Sequence, residues 1–290
     1  MKTHYAILTN PAAGRMGIDR KRFLLAAAAE ILNAEIEGLD TQSVHDFRRC
    51  AKELSTKCDV IVTAGGDGTL SDVINAVDTS KVPIAFLPLG TGNAMRHALN
   101  YKGTLSDIAW RIREGEIREY DLINCDDKIH GFMISIGLEG TIIRIRGQYR
   151  TQGASGFKTY FKAVLSAYFK EYKRAVAKIV ADDTVVETKD LLSVMVVKQP
   201  YYGFGMKVVP KARFDDGQLH TLCVNAGLFK AVIGGLTAFA NGNTVGRYRA
   251  CRRLTVSLDR PVAIQIDGTE GWESDGFHFT VLHRGLKIKC

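Results

Sequence analysis

Asp59-Val60-Ile61-Val62-Thr63-Ala64-Gly65-Gly66-Asp67-Gly68-Thr69-Leu70 is the stretch that decides the fold. A short apolar, β-branched run ends in a cluster of glycines, and a helical pattern follows from Thr69 to Val77. A buried strand that feeds a glycine turn and then a helix is the building unit of parallel α/β sheets. The unit recurs on either side. Pro83 to Leu89 is a second buried strand, broken by Gly90-Thr91-Gly92, with a helix from Asn93. His4 to Asn10 is a third, closed by Pro11-Ala12-Ala13-Gly14. The helix after it, Asp19 to Asn33, carries Phe23, Leu24, Ala27, Ala28, Ile31 and Leu32 on one face. Asp40 to Ser55, preceded by a short strand, and Leu105 to Arg113 complete the alternation.

Three glycine-bearing turns after strands of one α/β half carry chemistry. Glycine lets backbone N–H groups close on an anion, and the following helix N-terminus adds partial positive charge. Such turns lie at the carboxyl edge of a doubly wound sheet, where ligands bind. Neither G-x-x-x-x-G-K-[ST] nor G-x-G-x-x-G occurs, so the turns follow neither of the commonest nucleotide signatures. Asp67 stands among them. A carboxylate beside phosphate-cradling amides makes sense when it holds Mg²⁺ or takes a proton from an attacking hydroxyl. Phosphoryl transfer asks for that combination of positioning and charge neutralisation.

Beyond Leu122 the texture changes. Asn124–Leu138, Ala175–Val186, Leu191–Lys198, Gln218–Asn225, Arg253–Leu258, Val262–Asp267 and His278–Lys289 read as strands separated by Gly, Asp and Pro clusters. One strong helix, about Gly156 to Arg174, interrupts them. Two domains are expected, 1–123 and 124–290. Charge divides at the same place: 15 Lys and Arg against 16 Asp and Glu up to Leu122, then 24 against 15, within a net of +8 over 290 residues. A basic half suggests a polyanionic partner. The basic residues fall in no nucleic-acid-binding module, so lipid rather than nucleic acid is expected. From Thr141 to Lys178 there are nine Lys or Arg and one acid, Glu171. Within this segment Phe157, Tyr160, Phe161, Val164, Leu165, Tyr168, Phe169 and Tyr172 recur at helical spacing, with Lys158, Lys162, Lys170 and Lys173 largely off the stripe. Two readings stay open: a helix lying on acidic lipid, preceded by a basic loop with Arg144, Arg146 and Arg150, or a helix packed on the β-rich domain.

Hydrophobic residues make up 46% of the chain, enough for a core without staples. The six cysteines form no C-x-x-C pair and no zinc spacing, which suits a reducing cytosol. No signal core opens the sequence. The longest apolar region, Leu222 to Ala240, is interrupted by Asn225 and Lys230 and falls short of a membrane span. A cytoplasmic protein, peripheral at the inner membrane surface, is expected, and homodimer formation is compatible with it.

The order Asn10-Pro11-x-x-Gly14, Gly65-Gly66-Asp67-Gly68-Thr69, Pro88-Leu89-Gly90-Thr91-Gly92-Asn93, Tyr120-Asp121-Leu122, Asp215-Asp216-Gly217-Gln218-Leu219 and Asp267-Gly268 resembles the diacylglycerol kinase catalytic-domain superfamily. The resemblance implies a Rossmann-like layered α/β domain, a β-rich, sandwich-like second domain and a nucleotide cleft between them. It implies ATP-dependent phosphorylation of a diacylglycerol-like or long-chain sphingoid lipid. Asn10, Pro11, Gly14, Gly65 to Ser71 (through Leu70), Gly90, Thr91, Gly92 and Asn93 would line the nucleotide, with Thr41 as a further contact. Asp67 and Asp121 would surround a catalytic Mg²⁺. Asp216, with the carbonyls of Arg213 and Gln218, would hold a second, structural Mg²⁺, although Asp215-Asp216-Gly217 also suits a plain hairpin turn.

The sequence departs from the family pattern at three places. Thr269 stands where the family's Asp-Gly-Glu has its proton-accepting glutamate, Ala94 replaces an aspartate, and Asp72 replaces a glutamate. Asp67 is therefore the principal candidate for base or metal organiser, with Asp267 and Glu270 secondary. A kinase for a soluble acceptor such as NAD, and a lipid- or nucleotide-binding module without turnover, are the alternatives.

Overall fold

The computed structural model describes residues 3–12, 16–90, 92–154 and 156–290. The chain divides into two compact units. The first comprises Met1–Asp121, Gly203–Gly205 and His283–Cys290, and the second Leu122–Tyr202 and Met206–Leu282. The division at Asp121 lies beside the expected boundary. Residues 203–205 and 283–290, which the sequence placed in the second domain, belong to the first unit.

In the first unit, β1 (Tyr5–Thr9), α1 (Ile18–Leu32), β2 (Glu35–Glu37), α2 (Val44–Leu54), β3 (Val60–Gly65), α3 (Asp67–Ile74), β4 (Ile84–Pro88), α4 (Ala94–Ala98) and α5 (Leu105–Glu114) alternate as expected. The sheet is parallel in the order β2-β1-β3-β4, with Tyr5 opposite Val60 and Ile61 opposite Ile84. Every residue of β1, β3 and β4 is buried, because helices cover both faces of such a sheet. Ser43 caps α2 by accepting from the Asp46 N–H at 3.1 Å. Thr104 and Asp107 close a capping box on α5, and caps of this kind contribute about 1 kcal/mol each. Residues 283–290 add to the same unit: Ile288 pairs parallel with Ile84, the Thr79 hydroxyl donates to the Gly285 carbonyl, and the Cys290 N–H donates to Glu116.

The chain leaves the first unit within β5 (Ile117–Cys125). The second unit holds β6 (Ile129–Gly131), β7 (Met133–Gly137), α6 (Leu138–Thr151), α7 (Phe157–Ser166) with a π turn at Ala167–Glu171, β8 (Ala175–Ala181), β9 (Thr184–Leu191) and β10 (Ser193–Val197). After a 3₁₀ turn at Gly203–Gly205 come β11 (Leu219–Val224), α8 (Leu228–Phe239), β12 (Arg247–Cys251), β13 (Arg253–Ile266) and β14 (Thr269–Lys289). Strand order is β12-β11-β10-β7-β13-β14, antiparallel within the second unit. The first half of β13 pairs with β8, as in Val256 opposite Ile179, and its second half with β7, as in Ile264 opposite Ile136. The register shift between Ser257 and Val262 lets one strand serve both halves of the sandwich.

Alternation then sorts the side chains. Ile134, Ile136, Val194, Val196, Ile264 and Ile266 share the apolar core with Phe277 and Phe279. The intervening positions Ser135, Ser193, Gln265 and Asp267 are buried and polar. Helices α6 and α8 are not predicted by the sequence pattern. Gly140, Gly147, Gly234 and Gly235 lower local helix propensity, and packing overrides it: a Cβ on Gly140 would lie 2.3 Å from the Ala263 carbonyl oxygen.

Candidate active site

The glycine turns at the ends of β3 and β4 touch each other through backbone. The Leu89 and Gly90 N–H groups donate to the Gly65 carbonyl at 2.8 and 3.1 Å. A Cβ on Gly90 would lie 2.6 Å from the Cα of Gly66 and 2.6 Å from Asn93 Oδ1, so only glycine fits. Asn93 takes a left-handed conformation (φ 42°) and its amide donates to the Gly90 carbonyl, which opens α4. Asp67, in the first turn of α3, reaches across to α4: Oδ2 accepts from the Ala94 N–H at 2.8 Å and Oδ1 from Met95 at 3.0 Å. Burial pushes the Asp67 carboxyl above its ordinary range, and the two backbone donors pull against that shift.

Thr9, Asn10, Lys21, Ala64, Gly65, Gly66, Leu89 and Gly90 line a hollow of about 180 Å³, counting space open to solvent. Lys21 is 1% exposed, and its ammonium donates to the carbonyls of Asn10 (2.7 Å) and Pro11 (2.6 Å). Burial lowers its pKa. A cation fixed at the foot of the first turn was not singled out in the sequence. Its only sign there is one lysine on the apolar side of α1, among Leu25, Ala28 and Leu32.

The other expected nucleotide residues divide. Gly66 and Gly68 are half-buried at the turn, whereas Thr69, Leu70 and Ser71 are buried within α3. Thr41 closes its own turn, its hydroxyl donating to Gly38 at 2.7 Å. Gly92 lies against the 203–205 turn, its carbonyl accepting from the Phe204 N–H at 2.9 Å. Asp72 is held by Arg48 at 2.8 Å. Gly14 and Thr91 lie outside the described residues.

The expected acidic network is not gathered into one cluster. Asp121, fully buried, has Oδ1 2.8 Å from His283 Nδ1 and 2.9 Å from the Arg284 N–H. Among the described residues no group of three or more His, Cys, Asp or Glu is placed to hold a metal ion. Mg²⁺ is ordinarily held by one or two carboxylates, with water and substrate phosphates completing its shell, and Asp67 beside the glycine turns fits that mode.

In the second unit, Asp267 (φ 49°) and Gly268 (φ 80°) form the two-residue hairpin between β13 and β14. Asp267 Oδ1 accepts from the N–H groups of Phe132 (3.0 Å) and Met133 (2.9 Å), so this carboxylate anchors the hairpin to β7. The Thr269 hydroxyl donates to the Ile266 carbonyl, and Glu270 is exposed beyond it. Arg213 and Asp215 are exposed, while Asp216 lies between the side chains of Lys198 and His220.

A second polar constellation had no signal beyond Gly137-Leu138-Glu139-Gly140. Glu139, on the first turn of α6, accepts from the Ser193 hydroxyl. Burial raises its carboxyl to about 7, with the Ser193 hydrogen bond opposing. Nearby, the Tyr202 hydroxyl donates to Ser135 (3.2 Å), Gln265 Nε2 donates to Ser135 (2.7 Å), and the Gly268 N–H donates to Gln265 Oε1 (2.8 Å). The Glu139 charge is one of the influences that raise the Tyr160, Tyr172 and Tyr202 hydroxyl pKa values, after burial itself. Glu139 with Ser193, and Ser135 with Tyr202 and Gln265, make this buried face of the sheet polar and hydrogen-bonded.

Helix α7 and its π turn pack through Ala163 and Ala167 and expose Phe161, Leu165 and Phe169 together with Lys158, Lys162 and Lys170, and Lys173 is exposed just beyond them. The side chains of Arg150 and Phe157 lie outside the described set. Arg144 is engaged by Glu171 and Glu273. Helix α8 exposes Phe229 (79%) and Leu236 (66%). Among the described residues no helix is long and apolar enough to cross a membrane.

Two family models match the chain in order: the diacylglycerol kinase catalytic domain over residues 4–125, and the YegS C-terminal NAD kinase beta sandwich-like domain over residues 133–282. The chain belongs to the diacylglycerol kinase catalytic-domain family, a family of lipid kinases. A diacylglycerol kinase of Staphylococcus saprophyticus is 24% identical over 300 residues, covering 99% of this chain and 95% of its own. That of Staphylococcus carnosus is 24% identical over 284 residues, covering 93% and 90%. Among solved structures, a diacylglycerol kinase from Bacillus anthracis superposes with a TM-score of 0.73 at 18% identity, over 99% of this chain and 96% of that one. An NAD kinase from Archaeoglobus fulgidus in complex with ATP is more distant, at 0.53 and 11%, over 99% and 93%. Both structures share the fold.

Proposed function

We propose that this protein transfers the γ-phosphate of ATP to the hydroxyl of a diacylglycerol-like or long-chain sphingoid lipid, with Mg²⁺. The observation that carries the proposal is the contact of the two glycine turns, with Asp67 spanning them and Lys21 fixing the third. Backbone N–H groups at those turns receive phosphate oxygens, and Lys21 supplies a cation at the edge of the same hollow. Mg²⁺, when bound, would supply neutralisation of the charge that develops on the transferred phosphate. Asp67 is the residue that would hold it. In the transfer, the acceptor oxygen bonds to the γ-phosphorus as the bond to the β–γ bridging oxygen breaks, and the hydroxyl proton passes to a carboxylate. Asp67 is the principal candidate for one of the two roles, acceptor of that proton or holder of the cation, and Asp267 and Glu270 are secondary candidates.

A lipid acceptor also accounts for the second unit. Its buried polar sheet face offers Glu139, Ser193 and tyrosine hydroxyls to a polar head. The exposed Lys and aromatic side chains of α7 suit contact with an anionic membrane, and the apolar face of α8 suits the same surface. A cytoplasmic enzyme, peripheral at the inner membrane surface, follows from this reading. Product identification by mass spectrometry, after incubation with ATP, Mg²⁺ and a total lipid extract, tests it. A phosphorylated neutral lipid is expected. Phosphorylation of NAD with none of lipid would replace the reading by its soluble-acceptor alternative, and nucleotide binding without any product would replace it by a binding module.

A further inference from the structure

The turn at 213–218 was expected to hold a second divalent cation through Asp216 and the carbonyls of Arg213 and Gln218. Its geometry points elsewhere. Lys198 follows β10 directly, and its side chain is 0% exposed. Its ammonium sits 3.1 Å from Asp216 Oδ1 and donates to the Gln218 carbonyl. These are two of the three oxygens assigned to the metal. The Gln218 N–H also donates to Asp216 Oδ1, at 3.2 Å. The other carboxylate oxygen, Oδ2, lies 3.0 Å from Nε2 of His220, a residue 2% exposed, whose Nδ1 is 2.8 Å from the Tyr248 hydroxyl.

Carboxylate and peptide carbonyl oxygens are the ligands that hard divalent cations select. An ammonium uses the same acceptors, with three N–H donors in place of coordination bonds. It is tethered by the chain, so nothing is lost to dilution, and it leaves no room for a second cation at the same oxygens. A buried lysine also needs such a cage, because an unpaired internal charge is strongly unfavourable. Burial works to raise the Asp216 carboxyl, yet Lys198 and His220 prevail and hold it below its ordinary range.

We propose that the Lys198 ammonium is the resident cation of this turn, and that Asp216 and Gln218 take no divalent ion in this protein. The inference does not depend on the lipid acceptor. The turn is ordered by a covalently carried charge, so its folding is insensitive to chelators.

The test is thermal unfolding of the full chain without nucleotide, in EDTA or in about 10 mM Mg²⁺ or Ca²⁺ at matched ionic strength, where a ligand of the folded state raises the transition. The wild type and Asp216→Asn should respond identically to the divalent ions. Lys198→Ala vacates the cage: it should melt lower in EDTA and recover at least half of that loss with Ca²⁺ or Mg²⁺, and the recovery should vanish in Lys198→Ala/Asp216→Asn. A divalent-dependent rise in the wild type that Asp216→Asn abolishes would overturn the proposal. That comparison stands on its own where Lys198→Ala fails to fold.

Discussion

Replacing Asp67 by asparagine separates the two jobs that its position assigns to it. The carboxylate accepts from the Ala94 and Met95 N–H groups at 2.8 and 3.0 Å, and so docks α4 on the glycine turn. Asparagine keeps one carbonyl oxygen, and its NH₂ then meets a backbone N–H. One hydrogen bond to a charged acceptor is lost, at about 1.5–3 kcal/mol, and the other weakens from charged to neutral. The amide also escapes the desolvation that raises this carboxyl, which offsets part of the loss. A net destabilisation of about 2 kcal/mol is expected, equivalent to a fall of about 4–8 °C in melting temperature. If Asp67 also organises the cation or takes the proton, turnover falls far more than folding does, by about 10²–10³-fold. Urea denaturation and steady-state lipid phosphorylation on the same preparation measure both. Normal turnover in a destabilised variant would reduce Asp67 to a cap of α4. Unchanged stability would refute the argument that its two hydrogen bonds hold the turn.

Gly90→Ala places a methyl 2.6 Å from the Gly66 backbone. It should cost about 1–3 kcal/mol and abolish stabilisation by ATP in thermal unfolding, and an intact ATP response would contradict the assigned phosphate turn. Glu139 has a folded pKa of about 7, above that of an exposed glutamate, so its contribution to stability is present in acid and is lost as pH rises from about 4.5 through 7. Glu139→Gln should therefore gain stability relative to the wild type across that window, by up to about 3 kcal/mol at pH 8, and parallel pH profiles would refute the assignment. Binding to anionic vesicles in sedimentation assays should weaken as salt rises, through screening of Lys158, Lys162, Lys170 and Lys173, and salt-independent binding would remove the electrostatic component. Phe229→Ala should weaken the same binding without altering its salt dependence, because its 79% exposed ring contributes apolar area and no charge.

Local signals were legible. Strands β1, β3 and β4 are continuous apolar runs, and the glycine turns after β3 and β4 mark where each ends. Long-range signals were not. Helix α6 carries Ile142, Ile143 and Ile145 with two glycines, a composition that favours strand or loop until the sheet supplies its packing surface. Strand β14 runs through Asp275-Gly276, which reads as a break because the partner of Gly276, Ser257, lies elsewhere in the chain. The same limit applies to side chains. Lys198 finds Asp216 from 18 residues away and Glu139 finds Ser193 from 54, and no spacing rule links either pair. Asp121 and Asp67 are both assigned by resemblance to one acidic network, yet Asp121 turns to His283, 162 residues on.

The segment 283–290 has a bearing on biosynthesis. Ile288 supplies a sheet partner to Ile84, and Gly285 and Cys290 engage Thr79 and Glu116. A ribosome that has made all of β1 through α5 has therefore not yet delivered the strand that seals Ile84. The first unit must wait, one edge open, until some 170 further residues have emerged. Nascent chains arrested short of residue 283 should accordingly be protease-sensitive in their oldest portion, and a peptide spanning 283–290 added in trans should protect it.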